Sequence, residues 1–174
     1  MKIKVDFVTN SSSASFTIPK NNLNILQKIL LINHIDVFHA TIKEKFLKKY
    51  NYTPDLYDEW IIVEKNKIFY GSTYMDNFDM NLFLKEIGVN LDYVKNSDYA
   101  VINNDFSRNR ASFKKLKQKY SLDKLENNPC KKCLVGATCT KSFSEKTVCR
   151  KYIYFIKQMV REARLESKKR LYNK

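Results

Sequence analysis

Short runs of alternating and helically spaced apolar residues set out most of the first hundred positions. In "KIKVDFV" the residues Ile3, Val5 and Phe7 fall on one face, the period of a half-buried strand. "TNSSSAS" then supplies small polar turn formers, and "SFTIP" reads as a second strand closed by Pro19, which cannot donate to a ladder, so the pair predicts a hairpin. "NNLNILQKILLINH" places Leu23, Leu26, Ile29 and Leu30 at helical spacing after an asparagine cap, which predicts a helix near 22 to 33. Residues 36 to 57 carry a weaker pattern, with "TIKEKFLKKY" as a candidate amphipathic helix. "EWIIVEKNKIFYGSTY" predicts a second hairpin, its strands Trp60 to Val63 and Lys67 to Thr73 flanking the turn "EKNK".

The next segment, "MDNFDMNLFLKEIGV", has helix punctuation at both ends. Asp76 or Asn77 can cap it, Asp79 favours the positive end of its dipole, Phe78, Leu82 and Ile87 form a stripe, and Gly88 stands where a helix stops. Residues 98 to 105 suit a last strand, completing a small α+β domain over 1–107 with two hairpins and helices. From 108 the pattern becomes helical and crowded with bases. In "VCRKYIYFIKQMVREARLESKKRLY" the residues Cys149, Ile153, Ile156, Val160 and Ala163 make one apolar face, opposite Arg150, Lys157, Arg161, Arg164 and Lys168.

Charge sharpens this division. The formal net charge is +14, yet residues 1–107 hold twelve bases against thirteen acids and residues 108–174 hold twenty against five, net −1 and then +15. All four cysteines lie in the second part, which is therefore expected to be a basic, metal-binding, mainly helical module over 108–174. No apolar run is long enough for a signal peptide or a bilayer span, so the expected setting is cytoplasmic, with no membrane partner.

The cysteines, in "NPCKKCLVGATCTKSFSEKTVC", are spaced C-x2-C-x5-C-x9-C. A two-residue gap lets Cys130 and Cys133 turn their sulfurs to one ion, and Cys139 and Cys149 complete a four-thiolate set for zinc or, alternatively, an iron–sulfur cluster. Lys131 and Lys132 favour thiolates by their charge, and a strongly self-repelling module gains from a metal staple. A site with four cysteine ligands leaves no position for substrate, so its expected role is structural. The spacing is unlike a standard zinc ribbon. Part of it resembles cysteine patterns of certain DNA glycosylases and radical-enzyme auxiliary domains.

Lys114, Lys115, Lys117, Lys119, Lys131, Lys132, Arg150, Lys151, Arg161, Arg164, Lys168, Lys169 and Arg170 are candidates to neutralise phosphates, with Phe113, Tyr120, Tyr152, Tyr154 and Tyr172 interleaved as candidates for stacking. The expected partner is DNA or RNA, or a nucleic-acid-processing complex such as a polymerase or ribosome. The alternatives are a protein-binding inhibitor of a host enzyme or defence factor, and a metal-dependent nuclease using Asp76 and Asp79 with Asp6, Asp58 or Glu59. Helix capping accounts for both Asp76 and Asp79 without catalysis, His34 and His39 suit a helix end, and Ser11, Ser12, Ser13 and Ser15 lack the frame of a nucleophile elbow, so no catalytic residue is expected. Finally, "DFVTNSSSASF" at 6–16 resembles an N-terminal signature of uncharacterised bacterial, phage and mobile-element proteins, and "GSTYMDNFDMNLFLKEIGV" at 71–89 resembles a second block of the same proteins. The cysteine cluster is similar to clusters in uncharacterised phage proteins. The resemblance implies a phage or mobile-element setting and carries no catalytic residues.

Overall fold

A computed structural model describes residues 14–42, 48, 59–73, 78–97, 106–132 and 149–172. Among them the chain is mixed helix and sheet. In order they form β1 (Ala14–Pro19), α1 (Ile25–Ile32), α2 (His34–Thr41), β2 (Ile61–Lys65), β3 (Ile68–Thr73), α3 (Met80–Glu86), β4 (Lys95–Ser97), α4 (Phe106–Lys119) and α5 (Arg150–Tyr172), with short 3-10 turns between them. The strands make one antiparallel sheet of order β2-β3-β1-β4.

The β2–β3 hairpin forms as expected, but its turn is tighter. Asn66 and Lys67 both take positive φ, at 52° and 62°, the geometry of a two-residue turn whose twist matches its strands. The expected hairpin between 3–7 and 15–19 is corrected. Both edges of Ser15–Thr17 are occupied, by β3 on one side and β4 on the other, while residues 3–7 lie outside the described residues. The strand expected at 98–105 also falls outside them, as does most of the helix expected on 41–50, where residues 43–47 and 49–50 are not described. Alternation along the paired strands turns Phe16, Ile18, Ile62 and Phe69 to the core face, and Gly71 opposite Phe16 leaves room for its ring. A β-carbon on Gly71 would stand 2.1 Å from that ring, so packing, and not backbone conformation, demands glycine there.

Asn24 opens α1 with a reciprocal capping box, its side chain accepting from the Gln27 amide at 2.7 Å while Gln27 Oε1 accepts from the Asn24 amide at 2.9 Å. Asn33 ends α1 and begins α2, a helix the sequence reading did not place. Asp79, not Asp76 or Asn77, caps α3 by accepting from Leu82 N at 2.8 Å. Gly88, at φ 77°, closes α3: Val89 N donates to Leu84 O and Gly88 N to Lys85 O, the paired bonds of a left-handed cap.

The border expected at 107/108 does not separate two cores. Phe113, Leu116 and Tyr120 of α4 and its end, and Ile156, Met159, Val160 and Ala163 of α5, join the same buried cluster as Phe16, Leu30, Phe38 and Phe83. α4 packs on β2, and α5 packs on α1 and α2. Buried polar groups tie the two parts as well: Asn24 Nδ2 donates to Ala163 O at 3.0 Å, and Asn33 Nδ2 donates to Tyr120 O at 2.9 Å. The reason is area. Helices as basic as α4 and α5 own one narrow apolar stripe each, and the stripe gains about 25 cal/mol per Å² only where another element covers it.

Candidate nucleic-acid interface

α5 is 23 residues long, free of proline and glycine, and rich in straight-chain helix formers. Its inner face is set by Ile156, Met159, Val160 and Ala163, all buried. Rotation by 100° per residue then places Arg150, Tyr154, Lys157, Arg161 and Lys168 along one outer line at i, i+4, i+7, i+11 and i+18. All five are exposed, Tyr154 at 65%. At 1.5 Å per residue the line runs about 27 Å, and the helix's own acids, Glu162 and Glu166, sit on another flank. Among the described residues, no carboxylate pairs with any of its four cations. Lys151, Lys169 and Arg170 are exposed as well, off that line.

Other candidate cations are committed to the fold. Arg164 is not on the open face: its Nε donates to Glu86 O at 2.6 Å, its guanidinium pairs with the Glu86 carboxylate at 2.5 Å, and its stem lies against Gly88. The sequence put it with the open cations because its neighbour on α3 is seventy-eight positions away. On α4, Lys117 pairs with Glu59 and lies 5.0 Å from the centre of the Phe113 ring, while Lys119 pairs with Glu64 at 3.3 Å and lies 5.1 Å from the Tyr120 ring. Glu64 points inward from the edge strand and also receives Lys20. Burial opposes its charge, but the hydrogen bonds from Lys20 and Lys119 more than offset that and hold its carboxyl below the ordinary value. Lys114 and Lys115 remain exposed; Lys131 is exposed but bends to donate to Lys124 O at 3.2 Å; the Lys132 side chain lies outside the described residues.

The aromatic candidates divide in the same way. Phe113 and Tyr120 are core residues, 3% and 6% exposed, which removes them as stacking groups. Tyr152 is half-buried, and burial, with Asp36, Asp123 and Cys130 nearby, pushes its hydroxyl above the usual phenol range. Tyr154 is the accessible ring; the Tyr172 side chain lies outside the described residues.

Of the cysteines, Cys130 sits in the 3-10 turn Pro129–Lys132 and Cys149 immediately precedes α5; both are half-buried. That turn packs on α5, and Cys130 is near enough to Tyr152, in the first turn of α5, to act on its ionisation. Asn128 positions the turn, its Oδ1 accepting from Cys130 N at 2.9 Å and its Nδ2 donating to Leu122 O at 3.0 Å. Cys133 and Cys139 lie outside the described residues. Among the described residues no group of three or more His, Cys, Asp and Glu is arranged to hold a metal.

The remaining polar candidates have structural partners. Asp79 is a cap and Glu59 is the partner of Lys117, while Asp6, Asp58, Asp76 and Ser11 to Ser13 lie outside the described residues. Ser15 is buried in β1 and donates to Ser97 O at 3.3 Å. His39 is in the last turn of α2. His34 opens α2 and is fully buried: Nδ1 bonds to Leu31 O at 3.1 Å and Nε2 accepts from Trp60 N at 3.1 Å, so the ring is neutral with its proton on Nδ1. Burial, reinforced by Lys117, pushes its pKa down to about 3.

No helix among the described residues is long and apolar enough to cross a membrane. Compared with known proteins, the chain matches no family model, no curated protein and no solved structure.

Proposed function

We propose that this chain is a non-enzymatic accessory or regulatory protein of a phage or mobile element, acting in the bacterial cytoplasm. It grips DNA or RNA, alone or within a nucleoprotein machine, along the outer face of α5. The observation that carries this reading is the line Arg150, Lys157, Arg161 and Lys168, about 27 Å of cations with an accessible tyrosine among them and no described carboxylate drawn onto them. Each cation that meets a phosphate releases a counterion, so binding falls log-linearly with salt at about 0.7 to 0.9 per contact. A salt titration with labelled single-stranded and duplex oligonucleotides tests it. Linear slopes near −3 are expected, and absence of salt-sensitive binding to DNA and RNA alike sinks the reading.

The four cysteines belong to the same proposal as the ligands of a structural zinc, or of an iron–sulfur cluster. Its support is that Cys130 stands in a turn that packs on α5 and Cys149 directly precedes that helix. Such an ion would hold the 3-10 turn to α5, and its four thiolate ligands, net negative around a zinc, would offset the local charge of Lys131 and Lys132. Metal analysis with an absorption spectrum of anaerobically purified protein decides between them: one zinc without colour, or iron with a broad visible band.

A second reading, docking on an acidic protein, is favoured by Leu165, 50% exposed beside the cationic line. A protein partner saturates at fixed stoichiometry and loses affinity less steeply with salt.

A further inference from the structure

Beside the cationic line the surface opens into a groove of about 810 Å³, between α5, the segment Leu125–Pro129 and the first turn of α1. That volume lies in the range of about 300–1,000 Å³ found for clefts that take organic ligands. Its lining includes the apolar Leu26, Leu125 and Met159 and two aromatic residues of α5, Tyr154 and Phe155. It carries both signs of charge: Arg150 and Lys151 come from the first turn of α5, Glu126 and Glu162 supply carboxylates, and Gln158 adds an amide.

We propose that this groove seats an unpaired base of a single-stranded nucleic acid, stacked on Tyr154, while Arg150, Lys157 and Arg161 hold the neighbouring phosphates. The inference rests on the nucleic-acid reading above and names the form of nucleic acid. Three features select this occupant. A tyrosine 65% exposed at the edge of an apolar groove offers a face that every base can stack on. The cations that flank it lie on the same helix face, three to seven residues away, where a strand's backbone would follow them. The carboxylates repel phosphates and so fix which way the nucleotide enters, base first, with the strand outside. A carboxylate in the groove accepts a hydrogen bond from an exocyclic amino group, which cytosine has and thymine lacks. A base held in a duplex cannot enter such a groove without leaving its stack.

The test uses the full chain and fluorescence anisotropy at fixed moderate salt, with twelve-residue oligo-dC and oligo-dT and a mixed-sequence duplex of equal length. Stacking worth about 1–3 kcal/mol per base predicts that Tyr154→Ala loses about 5- to 150-fold on the single strands. Tyr154→Phe keeps most of the binding, and duplex binding is the same in all three proteins. The wild type prefers oligo-dC to oligo-dT severalfold, and Glu126→Gln with Glu162→Gln narrows that preference. Tyr154 is exposed, so its variants keep the far-ultraviolet spectrum of the wild type. Equal binding to single strand and duplex, with Tyr154→Ala without effect, overturns the groove while the cationic grip stands. No binding to any of the three probes or to their RNA counterparts overturns both.

Discussion

α4 and α5 look alike as sequences, both amphipathic and both dense in lysine and arginine, yet they meet different electrostatic surroundings. α4 lies against the edge strand β2, where Glu59 and Glu64 receive Lys117 and Lys119, and its two aromatic residues near those lysines are core. α5 lies against α1 and α2, mainly through apolar side chains, and among the described residues Arg164 is the one cation of α5 paired with a carboxylate, that of Glu86 on α3. The difference teaches that a count of bases measures potential charge, whereas the carboxylates a fold brings alongside decide how much is left to meet a partner.

The sharpest way to break the comparison is to attack the inner face of α5. Ile156 is fully buried, and Ile156→Ala should cost about 3 kcal/mol in urea unfolding, against under about 0.5 for Tyr154→Ala on the outer face. Equal costs would mean that the helix does not divide as described. Next comes the charge itself. Replacing Arg150, Lys157, Arg161 and Lys168 together by glutamine should weaken nucleic-acid binding about 100-fold at 0.15 M salt, while Lys117→Gln with Lys119→Gln should change it less than about threefold. Comparable losses in anisotropy titrations would erase the distinction between the helices.

A third prediction concerns the core beneath α4. His34 contacts Phe113 and feels Lys117, and its folded pKa of about 3 lies below the ordinary 6.5. The unfolded imidazole takes up a proton below about 6.5 while the folded one stays neutral, so stability is full above that pH and falls as the pH drops toward 3. At 1.36 kcal/mol per unit the loss from His34 is about 2 kcal/mol at pH 5, read as a lower urea midpoint than at pH 7. His34→Gln should lack that part of the pH dependence. The smallest effect sharpens the comparison from the other side. Glu59→Gln with Glu64→Gln should free Lys117 and Lys119, steepening the salt dependence of binding by up to about 1.5 while costing under about 1 kcal/mol per pair in stability.

Much of the fold was legible wherever one local rule spoke alone. Gly88 ends α3 because the left-handed position after a helix favours a residue without a β-carbon, and Ile156, Val160 and Ala163 face inward as their spacing requires. The β2–β3 hairpin follows from two β-rich runs around a polar turn. α2 went unseen because it is eight residues long and shares Asn33 with the helix before it, leaving no break to read. The partners of β1 went unread because pairing is non-local: β1 takes β3 and β4 from much later in the chain. For the candidate site, the outer line of α5 was visible from periodicity, but the groove beside it was not, since Leu26 and Leu125 come from distant segments.

By itself the sequence determined α1, the β2–β3 hairpin and α3, the inner and outer faces of the last helix and the concentration of charge and cysteine in the final third, because each depends on residues a few positions apart. Only the tertiary structure decided that both parts share one core, that Arg164, Lys117 and Lys119 are tied to carboxylates, and that Tyr154 borders a groove. Those outcomes depend on which surfaces meet, and an apolar stripe specifies that it must be covered without specifying which charges arrive with the cover.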